Sequence, residues 1–256
     1  MTDLLKGKVA IVTGAGSGMG KAISTRFVEE GARVMLADIN PDGLKQAAND
    51  IDPTGEAVDT VIANVAKEDD IVAMIKKTVD TYSKVDILVN NAGIVDNIKI
   101  IENMPDDLWN RVLAINLTGP FLASREAVKY MKNQKDGGNI INIASVGGLF
   151  GSRGGVAYTA SKHGLIGITK NIAATYGVYG NVRANAIAPG SIATNIGKTL
   201  DAPDELGMKA LGDAGGMNSP VGKPEQVADV AVFLASDQSS FVNGTVITAD
   251  GGWTAR

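Results

Sequence analysis

The sequence predicts a single α/β domain, residues 1–256, built on a doubly wound, seven-stranded parallel sheet with helices on both faces. Three observations predict it. Seven short runs are apolar throughout rather than alternating, as expected of strands covered on both faces. Helix-periodic segments separate them, giving βαβ units that close right-handed. No linker, repeat or low-complexity stretch divides the chain, and 256 residues lies within the reach of one hydrophobic core.

The elements follow in order. VAIVT (9–13) is the first strand, bounded by glycines and leading into a periodic stretch that ends at Gly31. ARVMLAD (32–38) is the second, with a helix over 41–51. AVDTVIA (57–63) is the third, with a helix over about 67–82. VDILVN (85–90) is the fourth, before a longer helical region, about 105–133, which Gly119-Pro120 is placed to bend. NIINIAS (139–145) is the fifth, followed by a helix over about 156–176. VRANAIAP (182–189) and GTVITAD (244–250) complete the sheet. Residues 194–223 carry no strand signal and are punctuated by Gly197, Gly207, Gly212, Gly215 and Gly216, with Met208 and Met217. Such a segment reads as a mobile lid over a substrate.

Composition narrows the function. The chain is 45% apolar and 20% charged with a net charge of −4, a globular balance with no nucleic-acid footprint. There are no cysteines and one histidine, His163. That excludes disulfides, thiolate metal sites, a cysteine nucleophile and a multi-histidine metal cluster. The start, MTDLLKGKVAIVTG, shows no signal peptide, and no run approaches a membrane span, so a cytoplasmic protein is expected. Glycine is abundant, 31 residues, which demands many tight turns or close approaches.

Some of those glycines form TGAGSGMG, directly after the first strand, where Gly14, Gly16, Gly18 and Gly20 lead into a helix. Glycines let the backbone approach a pyrophosphate, and the N–H groups and dipole of the helix start favour the anion. Asp38 ends the second strand, 18 residues after Gly20, which suits a carboxylate on the adenosine ribose hydroxyls. Together these read as a dinucleotide site. A carboxylate there opposes a 2′-phosphate, and neither Ser17 nor Ile39 supplies a cation for one. The nearest basic residues in sequence are Arg33 and Lys45. The expected cofactor is therefore NAD(H).

At the other end, Tyr158 and Lys162 in YTASK are four residues apart, one turn along one helix face. A nearby ammonium favours the phenolate and so lowers a phenol's pKa. Tyr158 then becomes able to exchange a proton with an alcohol or carbonyl oxygen. Ser145, after the fifth strand, offers a hydroxyl to hold that oxygen. Spacing alone is equally met by a solvated Tyr–Lys pair, the commoner fate of such residues.

The whole chain resembles the short-chain dehydrogenase/reductase family, whose domain is a Rossmann fold. The matching pieces are TGAGSGMG at 13–20, NNAG at 90–93, Asn116, Ser145, YTASK at 158–162, PGSIAT at 189–194 and DGG at 250–252. Seven short motifs in this order and spacing outweigh the solvated-pair reading. The resemblance implies that Tyr158 is the general acid/base and that Ser145 binds the substrate oxygen. It implies that Lys162 holds the nicotinamide ribose and tunes Tyr158, and that Asn116 anchors a water linking Lys162 to solvent. Implied cofactor contacts are Gly14, Ser17, Gly18, Met19 and Gly20, then Asp38 and Ile39, Asn64 and Val65, and Asn91, Ala92 and Gly93. Tyr158, Lys162, Pro189, Gly190, Ile192 and Thr194 complete that set, and Asn90 ties the central strands. Asn64 departs from the Asp commonest in the family, which weakens adenine contact at most. His163, about 100° around the helix from Lys162, reads as structural. The tail GGWTAR is either core packing or a subunit contact, and the family's habit implies a homotetramer.

Around Ser145 and Pro189, residues expected near substrate are mostly apolar: Leu149, Phe150, Ile196, Leu200, Leu206, Met208, Leu211 and Met217. No basic cluster appears there, although Arg153 and Lys198 are candidates for an anionic group. An uncharged secondary alcohol or ketone is the expected substrate. Two alternatives stand. One is a 3-oxoacyl-(acyl-carrier-protein) reductase, whose members usually carry Arg where this chain has Ser17 and dock the acidic carrier through basic residues; Lys129 matches one such position, Ala174 does not match another. The other is a non-catalytic dinucleotide-binding regulator, which the intact Asn116, Ser145, Tyr158 and Lys162 argue against.

Overall fold

The structure is a computed structural model that describes residues 3–179, 181–196 and 200–255. Its first half alternates β1 (Val9–Thr13), α1 (Gly18–Glu29), β2 (Arg33–Asp38), α2 (Pro41–Ile51), β3 (Val58–Ile62), α3 (Glu68–Tyr82) and β4 (Ile87–Asn90). Next come α4 (Asp106–Leu113), α5 (Gly119–Met131), β5 (Gly138–Ile143), α6 (Val156–Tyr179) and β6 (Val182–Pro189). The remainder holds β7 (Ser191–Ile192), α7 (Glu205–Asp213), β8 (Val221–Gly222), α8 (Pro224–Ala235) and β9 (Val246–Ala249).

The seven strands expected from sequence form one sheet in the order β3-β2-β1-β4-β5-β6-β9, and every pairing is parallel. The chain runs outward from β1 through β2 to β3, then returns to place β4 on the other flank of β1. The carboxyl ends of β1 and β4 therefore border a crevice, where doubly wound sheets bind ligands.

Alternate strand residues serve opposite cores, which is why the strands read as continuously apolar. Ala10, Val12, Val34, Leu36, Val89 and Ile141 pack with Ile23 and Phe27 of α1, Leu44 of α2 and Val227 of α8. Ile11, Met35, Leu88 and Ile140 face the other way, against Ile71 and Met74 of α3, Met131 of α5 and Ile172 of α6. Each fully buried large aliphatic contributes about 1.5–3 kcal/mol, so the two layers are the main source of stability.

A few buried polar side chains cross the sheet. Asn90 of β4 donates to Asn142 of β5 at 2.8 Å and to Ser124 of α5 at 3.1 Å. Asn142 in turn donates to Thr169 of α6 at 2.8 Å. The expected tie between central strands is thus a four-residue network that also registers α5 and α6.

The long helical region does not simply bend. Residues Ala114–Thr118 form a π-turn between α4 and α5, with the Gly119 N–H bonded to the Ala114 carbonyl five residues back. Pro120 has no N–H for the Asn116 carbonyl, its partner in a regular α-helix. A Cβ at Gly119 would lie 2.6 Å from the Val65 carbonyl, so glycine lets the turn press against the loop after β3.

The expectation that residues 194–223 lack a strand is corrected. Val221–Gly222 pairs in parallel with Ser191–Ile192, because Gly222 lets the chain lie against the Ile192 side chain. The stretch also contains α7; Gly197 and Lys198 lie outside the described residues. Beyond it, α8 caps the first core, an element that the sequence pattern did not announce. Trp253 of the tail is 5% exposed, its indole N–H donating to the Ala214 carbonyl at 3.0 Å. Among the described residues no helix is long and apolar enough to cross a membrane.

Candidate active site

The glycine-rich turn joins β1 to α1 with Gly14 and Gly18 at φ +65° and +53°. A Cβ at Gly20 would strike the Gly14 carbonyl, and one at Gly16 would lie 2.9 Å from the Asp38 carboxylate. These glycines are what allow the turn to fold this tightly. At the head of α1, Ser17 makes no side-chain cap bond and the first turn holds no acidic residue, so nothing anionic competes for the helix start. Met19 packs against the first core.

Asp38 stands beside this turn at the end of β2. One carboxylate oxygen accepts the Gly16 N–H and the other the Asn40 N–H, both at 2.9 Å. Ile39, next in the chain, is 63% exposed. Asn64 accepts the Ala66 N–H at 3.0 Å, leaving its amide as the group it can offer outward, and Val65 abuts Gly119. After β4, the Asn91 amide donates to the carbonyls of Thr13 and Gly14 at 2.9 and 3.2 Å. Its own oxygen is buried without a hydrogen-bond partner. The Ala92 N–H donates to the Thr13 hydroxyl, and Gly93 lies where a Cβ would be 3.3 Å from Asn116 and 3.6 Å from the Lys162 ammonium. Past Pro189, the Gly190 N–H donates to the Ala249 carbonyl at 3.0 Å. Ile192 sits in β7, and Thr194 lies over the glycine turn, 3.4 Å from a Cβ at Gly18. An open helix start, an anchored carboxylate and an orphaned buried acceptor fit a dinucleotide lying across the carboxyl ends of β2, β1 and β4.

The reactive end forms around α6. Lys162 is 4% exposed and donates to the Ile143 carbonyl at 2.7 Å, with its ammonium 5.7 Å from the centre of the Tyr158 ring. Burial lowers its pKa to about 8. Glycines at 147 and 154 line the Tyr158 ring: a Cβ at either would press on it. Ser145 accepts the Gly147 N–H at 3.0 Å, and its hydroxyl is near enough to Tyr158 to favour the phenolate.

One expectation reverses here. Burial pushes the Tyr158 phenol above its ordinary pKa; the nearby Ser145 hydroxyl opposes this and the Asp96 carboxylate adds to it. In the protein without cofactor, burial of the phenol outweighs the neighbouring ammonium. Asn116, fully buried on the π-turn, exchanges two hydrogen bonds of 2.9 Å with the backbone of Ile94 and donates to Ser161 at 3.3 Å. Both donors of its amide are thereby used, while its side-chain oxygen accepts a single bond. His163 is exposed, one ring nitrogen 2.9 Å from the Thr159 carbonyl.

Sequence reasoning missed Asp96. It is fully buried, and its carboxylate accepts the N–H groups of Gly155 and of Tyr158 itself at 3.0 and 2.8 Å. Burial pushes its pKa up. The available signal was indirect: Gly155 precedes α6 with no side chain to cap it, so the cap had to come from elsewhere.

Fold and site together define an oxidoreductase that uses a nicotinamide cofactor, NAD or NADP. Residues 14–254 match the family model described as enoyl-(acyl carrier protein) reductase. The chain is 44% identical over 254 residues to 3beta-hydroxysteroid dehydrogenase 2 of Eggerthella lenta, covering 98% of this chain and 96% of that protein. It is 40% identical over 251 residues to a 3-oxoacyl-(acyl-carrier-protein) reductase of Thermotoga maritima, covering 97% and 98%. The crystal structure of levodione reductase superposes with a TM-score of 0.86 at 35% identity, covering 98% of this chain and 99% of that one. The chain belongs to the short-chain dehydrogenase/reductase family.

The buried Lys162 has a consequence for stability. Its folded pKa, about 8, lies below its ordinary 10.5. Below pH 8 both folded and unfolded chains carry the proton and the fold bears the full cost of the buried charge. Between those values the folded chain binds fewer protons, so its stability rises with pH. Wild type should gain about 2 kcal/mol on Lys162→Met between pH 8 and pH 10, read from urea unfolding of both proteins. Packing differences between the two side chains do not depend on pH and leave this gain untouched. A pH-independent difference would show that the ammonium is not buried.

Proposed function

We propose that the protein interconverts a secondary alcohol and a ketone with NAD(H), Tyr158 transferring the proton. The observation that carries this reading is the convergence of Ser145, Tyr158 and Lys162 beside Gly93, at the edge of the dinucleotide crevice. When bound, the nicotinamide supplies or accepts the hydride at the substrate carbon. The Ser145 hydroxyl holds the substrate oxygen, and the Tyr158 phenol gives that oxygen a proton in reduction or takes one in oxidation. Lys162 holds the nicotinamide ribose and, once the cofactor's positive ring is near, favours the phenolate. Asn116 holds a water through which Lys162 exchanges protons with solvent.

Cofactor contacts in this reading are Gly14, Ser17, Gly18, Met19 and Gly20 at the pyrophosphate, and Asp38 and Ile39 at the adenosine ribose. Asn64, Val65, Asn91, Ala92 and Gly93 line the adenosine side and the crevice floor. Pro189, Gly190, Ile192 and Thr194 seat the nicotinamide half. Residues 200–223 are a lid; Leu206 and Met217 there are 57% and 68% exposed, apolar surface suited to an uncharged substrate. A relative named for a hydroxysteroid, an apolar molecule bearing a hydroxyl, supports the same class. A groove of about 450 Å³ between α5 and α6, lined by Phe121, Val128, Ile168 and Tyr176, suits association as a homotetramer.

A second reading, reduction of 3-oxoacyl chains on an acidic carrier protein, is favoured by the Thermotoga relative. Against it, the Lys129 ammonium is held 2.6 Å from Glu126, Ser17 stands where such reductases usually carry Arg, and the Asp38 carboxylate opposes a 2′-phosphate.

Tyr158→Phe should lower kcat by about 100- to 10,000-fold while cofactor affinity, from NADH fluorescence, stays near wild type. Retention of more than about a tenth of wild-type kcat would remove Tyr158 from the proton-transfer role.

The cofactor choice is equally testable. Two backbone N–H bonds restrain the Asp38 carboxylate, so it cannot swing far from a 2′-phosphate. At about 4 Å and an effective dielectric near 20 a unit pair repels by roughly 4 kcal/mol. About 2 kcal/mol surviving screening gives roughly thirtyfold preference for NAD(H) in kcat/KM. Asp38→Ser with Ser17→Arg should narrow or reverse it. An equal or higher kcat/KM with NADPH in the unmodified protein would refute this role of Asp38.

A further inference from the structure

Residues 96–99, a few positions past β4, stand between α6 and the stretch that leads into α7. On one side they receive the start of α6. The Asp96 carboxylate accepts the Gly155 and Tyr158 N–H groups, and the Val156 N–H donates to the Lys99 carbonyl at 2.9 Å. A Cβ at Gly155 would collide with that carboxylate, so the contact is close as well as bonded.

On the other side they hold residues 201–207. The Asp201 N–H donates to the Asn97 side-chain oxygen at 3.1 Å, and the Asp204 N–H to the Asn97 carbonyl at 3.1 Å. The Lys99 ammonium reaches the Ala202 carbonyl at 3.1 Å. Nearby, Asn103 donates to Asp204 at 2.7 Å, and a Cβ at Gly207 would overlap the Ile98 carbonyl.

Between the two sides the backbone is strained. Asn97 and Ile98 have φ +56° and +53°, and Ala202 opposite them has φ +49°. Asparagine tolerates this region; a β-branched isoleucine does not. Such a conformation persists only where its surroundings over-determine it. Release of residues 201–207 removes three hydrogen bonds into Asn97 and Lys99 and lets Ile98 rotate back to negative φ. Asp96, two residues away, carries that rotation to the N–H of Tyr158.

We propose that Asp96 is a positioning residue for Tyr158, joined through the strained Asn97–Ile98 pair to residues 201–207. The seating of that segment thereby sets the placement of the Tyr158 turn of α6. This rests on Tyr158 being the proton-transfer group. The link is a strained backbone pair held from both flanks, rather than mere proximity.

A double-mutant cycle in the full-length chain tests it, using Asp96→Asn, Asn97→Gly and the double variant. Folded sites are counted by NADH fluorescence titration, so kcat is expressed per site that binds cofactor. Asp96→Asn keeps the shape but faces an N–H donor with an amide; kcat should fall about tenfold or more, with KM for NADH within about twofold of wild type. Asn97→Gly suits the positive φ and preserves the fold, yet releases Asp201; kcat should fall roughly three- to tenfold, again without a change in KM for NADH. In the Asp96→Asn background, Asn97→Gly should add nothing. Multiplying effects in the double variant, or wild-type kcat in Asn97→Gly, would overturn the coupling. Should Asp96→Asn fail to fold, Asn97→Gly alone decides by the same criterion. An active Tyr158→Phe variant would instead overturn the reaction assignment on which this rests, so the two failures are distinguishable.

Discussion

The hydrogen bond from the buried Lys162 ammonium to the Ile143 carbonyl fixes the rest of the reactive end. It joins the second turn of α6 to the end of β5, and so sets the height of Tyr158 above the sheet edge. The close packing around it leaves no room for side chains. A Cβ at Gly148 would lie 2.8 Å from the Lys162 carbonyl, and Gly93 borders the ammonium itself. No carboxylate among the described residues offsets the charge, and the pKa of about 8 records the cost. Stability to offset it comes from elsewhere, chiefly the two apolar layers on either side of the sheet. An enzyme site that destabilises its own fold while a large core sustains it is a common arrangement.

The charges at the two ends of the crevice do different work. At the adenosine end, Asp38 is held by backbone N–H donors, and its proposed effect is discrimination between cofactors. At the reactive end, Lys162 and Asp96 are buried and Tyr158 is partly buried, and desolvation pushes each toward its neutral form: Lys162 down, Tyr158 and Asp96 up. A proton moved between such groups need not wait for a strongly held charge to be released. In the proposed reaction, this neutral setting means that the tyrosine is poised only once cofactor and substrate complete the site.

Much of this was legible in the sequence, for physical reasons. Parallel strands buried on both faces leave unbroken apolar runs, so all seven could be read from VAIVT to GTVITAD. The glycine turn and its contact with Asp38 were legible because so tight a strand–turn–helix junction needs glycine at fixed positions. Depth was not legible. The four-residue spacing of Tyr158 and Lys162 shows that they share a face but not how deeply each is set, and depth reverses the sign expected for the phenol. The π-turn is likewise invisible, since Gly119-Pro120 announces a break while the extra residue in the turn depends on contact with Val65. Asp96 escaped because its partners, Gly155 and Tyr158, lie 59 and 62 residues away and are backbone groups that no side-chain pattern encodes. Val221–Gly222 is too short a strand for any periodicity.

In the proposed reaction the site exchanges hydride and proton with an uncharged secondary alcohol or ketone. The most direct test is the absorbance of reduced nicotinamide in the presence of a panel of neutral ketones, the matching alcohols, and acetoacetyl thioesters. The expected result is NADH oxidation with apolar ketones, the reverse reaction with their alcohols, and weak or no turnover of thioesters. Turnover of thioesters alone, or of no compound in the panel, would contradict it.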